Sequence, residues 1–155
     1  MKNHFAAMTV IFLLLALFSP SASAADPAPE NIVIGTWNIE WFFDHDQSDN
    51  ESALAKKLSA PTQKDWDWRV TETAKVIAAI NPTVLALQEI ENEKVVQELT
   101  KQLRDGHDQN YKVAFIQGRD TYTEQDVALI YKSGLIHKER RNQTDEMYES
   151  KHYYN

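Results

Sequence analysis

Two polar residues stand where apolar runs end. Asn38 closes the β-branched and aromatic stretch from Ile32 to Trp37, and Glu89 follows Leu85, Ala86, Leu87 and Gln88. A carboxylate at the rim of a core is costly unless something positive pairs with it. A hard cation such as Mg²⁺ is held by one or two carboxylates together with waters and phosphate oxygens. An amide beside such a carboxylate can share a metal-bound water or orient a phosphate oxygen. The competing reading is plainer: Glu89 caps a following helix and Asn38 shapes a turn. Further along, "GRDTYTEQ" places Arg119, Tyr122 and Glu124 close together. The planar fork of Arg119 suits phosphate, or simply neutralises Asp120. Tyr122 and Glu124 are two apart and share a face if the chain is extended; by itself the stretch reads as an exposed hairpin loop.

The elements that must position these groups alternate. Ile32 to Ile39 reads as a first strand, rich in β-branched residues. Asp44 to Lys64 reads as a long exposed loop with one short helix. A helix capped by Asp65 or Asp67 runs to about Ile80, with Val70, Ala74, Ile77 and Ala78 at helical spacing. "NP" at Asn81 and Pro82 stops it. Thr83 to Ile90 is a second strand, and Glu93 to Arg104 a second helix with Gly106 as its left-handed cap. Tyr111 to Gln117 and Val127 to Lys132 complete the strands, with another start at Leu135 to His137. Strands alternating with helices imply an α/β fold with at least one parallel pair. The strand–helix–strand unit from Ile32 to Ile90 should form a right-handed crossover. Both strands then finish at one edge of the sheet, where open α/β sheets bind ligands. Asn38 and Glu89 are the residues at those finishing ends.

The remainder of the chain sets limits. Lys2, the apolar run from Phe5 to Phe18 and "SASA" ending at Ala24 form the charge, apolar core and small-residue cleavage pattern of a secretory signal peptide. The run is too short for a good anchor, since a spanning helix needs about 20 apolar residues. Residues 1–24 are therefore read as a signal peptide, 25–31 as a flexible lead-in and 32–155 as the domain, secreted or periplasmic after cleavage near Ala24. There are no cysteines, so packing or metal must supply the stability. The formal net charge of −7 argues against a non-specific nucleic-acid coat protein. It does not exclude an enzyme of phosphates, because a divalent cation can supply positive charge locally.

"TWNIEWFF", then a helix, then "NPTVLALQEIEN" and later "GRDTYTEQDVALIYK" resemble, in that order, the N-terminal half of the endonuclease/exonuclease/phosphatase superfamily. "GRDTYTEQ" is most similar to the deoxyribonuclease I branch. The resemblance covers about Ile32 to Lys132. It implies the N-terminal half of a four-layer α/β sandwich and divalent-metal-dependent cleavage of phosphoesters, with Mg²⁺ as cofactor and Mn²⁺ or Ca²⁺ as alternatives. By the same resemblance Glu89 ligates the metal with Asn38 beside it, Tyr122 touches the substrate phosphates, and Glu124 orients a catalytic histidine. Arg119 joins Asn38 and Tyr122 among the substrate-binding residues.

Two departures stand out. Asp120 replaces what is often a neutral polar residue and should repel a nucleic-acid backbone. Thr83 replaces a common Asp, read as a local turn difference. The superfamily's later Asp-x-Asn and Ser-Asp-His motifs are not found; "DQN" at Asp108 to Asn110 and "SDN" at Ser48 to Asn50 imitate their letters at the wrong place in the order. "DHD" at Asp44 to Asp46 reads as a solvated acidic loop. The 155 residues are thus expected to form part of a longer enzyme or a truncated copy, inactive and poorly soluble in isolation. The expected function is an exported phosphodiester hydrolase, foremost a DNA endonuclease, with nucleic acid or another phosphodiester as partner. A phosphatase or phospholipid phosphodiesterase of the same fold is one alternative, and a non-catalytic remnant or binding module another.

Overall fold

The computed structural model describes residues 31–135. The expected signal peptide and nearly all of the lead-in lie outside them, as does the strand start at Leu135 to His137 beyond its first residue. The elements are β1 (Ile34–Phe42), α1 (Ala53–Leu58), α2 (Gln63–Ile80), β2 (Val84–Ile90), α3 (Glu93–His107), β3 (Lys112–Phe115) and β4 (Asp126–Tyr131). The mixed α/β arrangement agrees with the alternation of strand and helix patterns in the sequence. Among the described residues no helix is long and apolar enough to cross a membrane.

The four strands form one sheet in the order β1-β2-β4-β3. β1 runs parallel to β2, with Ile34 opposite Val84 and Asn38 opposite Gln88. β4 is antiparallel to both β2 and β3. Strand residues alternate between two faces. Trp37 and Ile39 on β1, Leu85 and Leu87 on β2, and Ala128 and Ile130 on β4 turn to one face. There they meet Trp66, Val70, Ala74 and Ile77 of α2 and Val95, Val96, Leu99 and Leu103 of α3 in a single core. The two helices are also tied by a hydrogen bond that the Trp66 indole donates to Glu98 Oε2 at 2.6 Å. Among the described residues the other face is open: Ile34 is 75% and Val127 60% exposed.

Helix ends differ in detail from the sequence reading. The cap of α2 is Thr62, whose Oγ1 accepts from the Asp65 N–H at 3.2 Å, so neither Asp65 nor Asp67 begins the helix. A threonine cap leaves Asp65 in the first turn, where its charge suits the helix dipole. At the other end Asn81 takes the left-handed conformation with φ 53° ahead of Pro82. α3 is capped by Asn92 and continues through Gly106 to His107; Asp108, not Gly106, adopts the left-handed cap. Thr83 does more than shape a turn. Its N–H donates to Val33 O, its Oγ1 accepts from Val33 N–H, and its carbonyl accepts from Lys132 N–H, so it joins the chain on either side of β2.

The two faces of the sheet predict opposite mutational costs. Leu87→Ala, at a site with no exposure, should lower the unfolding free energy by about 2–5 kcal/mol. Ile34→Ala on the open face should stay within about 0.5 kcal/mol. Urea denaturation of the two variants beside the parent protein measures both.

Candidate active site

Parallel pairing brings the ends of β1 and β2 to one edge, and β4, running the other way, begins there. Phe42 lies opposite Ile90, and Ile90 opposite Asp126. The segment between β3 and β4, which carries Arg119, Tyr122 and Glu124, therefore reaches the same edge. Register breaks at this point. On β1 the step from Asn38 to Phe42 faces only the step from Gln88 to Ile90 on β2, so β1 bulges by two residues. Glu89 is itself a bulge against β4, between Gln88 opposite Val127 and Ile90 opposite Asp126. Glu40 and Trp41 have φ 48° and 47°, and Glu89 has φ 61°. Side chains other than glycine in this region cost about 1–3 kcal/mol each and persist where surrounding structure holds them.

What holds them is a closed set of hydrogen bonds. Asn38 Nδ2 donates to Glu89 Oε1 at 2.7 Å, and Trp41 N–H donates to Glu89 Oε2 at 3.0 Å. Asn38 Oδ1 accepts from Glu40 N–H at 2.9 Å. The polar strand ends do meet, as the parallel-strand argument requires. The amide, however, turns its nitrogen to the carboxylate and its oxygen to the backbone, because an acceptor-only carboxylate takes a donor. Glu89 is half-buried, and each of its oxygens has one of these bonds, which leaves lone pairs on both. Hard oxygen donors of this kind suit Mg²⁺ or a similar cation.

Beside it lies a second acidic group that the sequence reading placed in solvent. Asp44 is 2% and Asn50 4% exposed, so these two residues of the "DHDQSDNES" loop are buried, while His45, Gln47, Ser48 and Asp49 between them stay exposed. The anchor is Glu91, just past β2. Its Oε2 accepts from Asp44 N–H at 2.8 Å and its Oε1 from Asn50 Nδ2 at 2.6 Å. Carboxylate oxygens of Asp44, Asp49 and Glu91 lie within 4.8 Å of one another, a donor set of the type a divalent cation can take. Lys94 Nζ already pairs with Asp44 Oδ2 at 2.8 Å. Burial pushes the Glu91 carboxyl up to about 7, against the lowering effect of its two donors. Burial and the neighbouring Asp44 also raise Asp49. The cluster thus gains from any positive charge brought to it.

The segment before β4 closes the far side. Asp49, Glu51, Glu91, Arg119, Asp120 and Glu124 are among the residues lining a cleft of about 420 Å³. Glu124, with φ 58°, uses its carboxylate on the backbone: Oε1 and Oε2 accept from Glu51 N–H at 2.9 and 3.1 Å, and Oε1 also from Ser52 N–H. Among the described residues it therefore clamps the start of α1. Asp120 gathers the turn rather than meeting Arg119, accepting from the N–H groups of Tyr122 and Thr123 and from Thr123 Oγ1. Burial alone would raise its pKa, but these hydrogen bonds bring it below the usual carboxylate value. Tyr122 is 73% exposed at the surface. Among the described residues, four of the six non-glycine residues with positive φ, Glu40, Trp41, Glu89 and Glu124, belong to this edge; the other two, Asn81 and Asp108, are helix caps.

A family model described as the endonuclease/exonuclease/phosphatase family matches residues 33–153. The chain belongs to the endonuclease/exonuclease/phosphatase family. Membership supports phosphoester hydrolysis as its class of chemistry. No curated protein and no solved structure matches the chain. In this family member Asn38 and Glu89 are brought together, and Arg119 and Glu124 line the adjoining cleft.

Asp44, Asn50, Asp49 and Glu91 were not legible as a unit, since acidic loop composition is the usual signature of solvent. The one available signal was Glu91 itself, a second carboxylate two positions beyond Glu89 at the strand end. Glu91→Ala would strand the buried Asp44 N–H and Asn50 Nδ2. It should cost about 2–4 kcal/mol, measured by chemical denaturation, with exchange of the Asp44 amide accelerating in parallel.

Proposed function

We propose that the protein is an exported, divalent-metal-dependent phosphodiester hydrolase acting foremost on DNA. The observation that carries this reading is Glu89, held in a strained bulge by Asn38 and the Trp41 N–H at the strand ends. Strain retained at a ligand-binding edge is typical of functional sites. In this reading Glu89 holds Mg²⁺, with Mn²⁺ or Ca²⁺ as substitutes. Such an ion supplies positive charge to the phosphoryl oxygens when bound. Asn38 fixes the Glu89 carboxylate through its Nδ2. Tyr122 and Arg119 meet the phosphate backbone, Tyr122 from its exposed position and Arg119 from the cleft wall. Glu124 sets the spacing between the β3–β4 segment and the start of α1, and is the carboxylate suited to orienting a histidine.

One observation favours a second reading. Asp49, Glu51, Glu91, Asp120 and Glu124 give the cleft a strongly acidic wall beside one Arg119, which opposes a long polyanion. A small phosphoester or a phospholipid headgroup presents less charge to it.

Purified from the cell that makes it, the protein should nick supercoiled plasmid with Mg²⁺ and stop on adding EDTA. Glu89→Ala should reduce the rate by about 10²-fold or more, given the several kcal/mol a metal centre contributes. Cleavage of bis(p-nitrophenyl) phosphate with intact plasmid would transfer the reading to the small-substrate alternative. Equal rates for parent and Glu89→Ala would refute both. N-terminal sequencing of the same preparation checks removal of residues 1–24.

A further inference from the structure

Arg69 belongs to α2, on the far side of the β1 bulge from Glu89. Its guanidinium donates to three successive backbone carbonyls. Nη1 reaches Trp41 O at 2.7 Å, and Nη2 reaches Ile39 O at 3.1 Å and also Glu40 O. Its Cζ lies 5.8 Å from the centre of the Phe42 ring, and Phe42 in turn packs on Trp66 of the same helix at 4.7 Å. The bulge thus divides its polar groups by side. Its carbonyls turn to Arg69, while the N–H groups of Glu40 and Trp41 turn to Asn38 and Glu89.

Backbone groups taken out of a strand ladder need other partners where they lose water; the register of β1 breaks at these residues, and the Ile39 and Trp41 carbonyls meet Arg69 in part-buried bonds and that of Glu40 in an exposed one. A guanidinium is the side chain suited to this task, because its fixed fork presents several donors at once. We propose that Arg69 is a positioning residue for Glu89: it fixes the Glu40–Trp41 bulge so that the Trp41 N–H and Asn38 hold the carboxylate in its metal-binding orientation. The proposal rests on the reading of Glu89 as the metal ligand. Burial lowers the Arg69 pKa, with nearby Glu40 partly offsetting it, in keeping with a cation committed to protein partners.

The test is Mn²⁺ affinity of the full chain by titration calorimetry, for the parent, Glu89→Gln, Arg69→Met and Arg69→Lys, well below each melting temperature. Partners that orient a metal ligand are worth about 10–100-fold in affinity, so Arg69→Met should weaken binding by at least the lower figure. Arg69→Lys should do the same, since a single ammonium cannot span three carbonyls; it carries the test if Arg69→Met does not fold. In both variants the Trp41 amide should exchange faster by about 10-fold, with the Leu99 and Ile130 amides unchanged. A purely structural role would lower the melting temperature and leave Mn²⁺ affinity alone. Affinity within about 2-fold of the parent in a folded Arg69 variant, while Glu89→Gln loses binding, overturns the Arg69 proposal only. Affinity unchanged in Glu89→Gln removes the metal reading of Glu89, and the positioning role with it.

Discussion

Two strands that run parallel must end at the same edge of their sheet, and the pairing of β1 with β2 imposes that on this chain. Asn38 and Glu89 are 51 residues apart in sequence and 2.7 Å apart in space because of it. The constraint extends outward. β4 is antiparallel to β2, so the segment carrying Arg119, Tyr122 and Glu124 arrives at that edge as well. Glu91, two residues past Glu89, then draws the loop after β1 down onto the same end through Asp44 and Asn50. The packing of α2 and α3 on one face supplies the stability against which three left-handed residues can be held.

Periodicity and punctuation made most of this legible. Val84–Ile90 and Glu93–His107 differ from their sequence reading by a few residues, because an apolar run between "NP" and "EN" leaves little freedom. Topology placed Asn38 and Glu89 at one edge, and the order of the motifs was needed beside it to read them as one site. The bulge was legible in neither. Two consecutive left-handed residues are ordinarily announced by Gly or Asn, and Glu40 and Trp41 give no such signal; tertiary hydrogen bonds, not local preference, put them there. Gly106 misled for the converse reason. It had the composition of a cap, yet α3 continued past it and Asp108 took the left-handed turn. Asp44 shows the same limit, since a charged residue in an acidic loop looks solvated until its partners are known.

The charge distribution tempers the picture of a polyanion-binding surface. Within the edge, Lys94 answers Asp44 and Arg119 stands on a largely acidic wall. The backbone does much of the remaining work of balancing charge: Glu89, Glu91 and Glu124 all accept main-chain N–H groups. Their carboxylates therefore fix three separate pieces of chain at one end of the sheet.

The strand order β1-β2-β4-β3 also governs how the chain can assemble as it is made. β1, α1, α2 and β2 follow one another in the chain, and β1 and β2 can pair as soon as Ile90 is synthesised. β3 is made before β4, yet among the described residues β4 is its strand partner, and β4 itself must first reach β2. Until Tyr131 has emerged, β3 lacks that partner. The third and fourth strands therefore enter the sheet together as a hairpin, and both joinings at β2, with β1 on one side and β4 on the other, pair residues far apart in the chain, the kind of contact that slows folding.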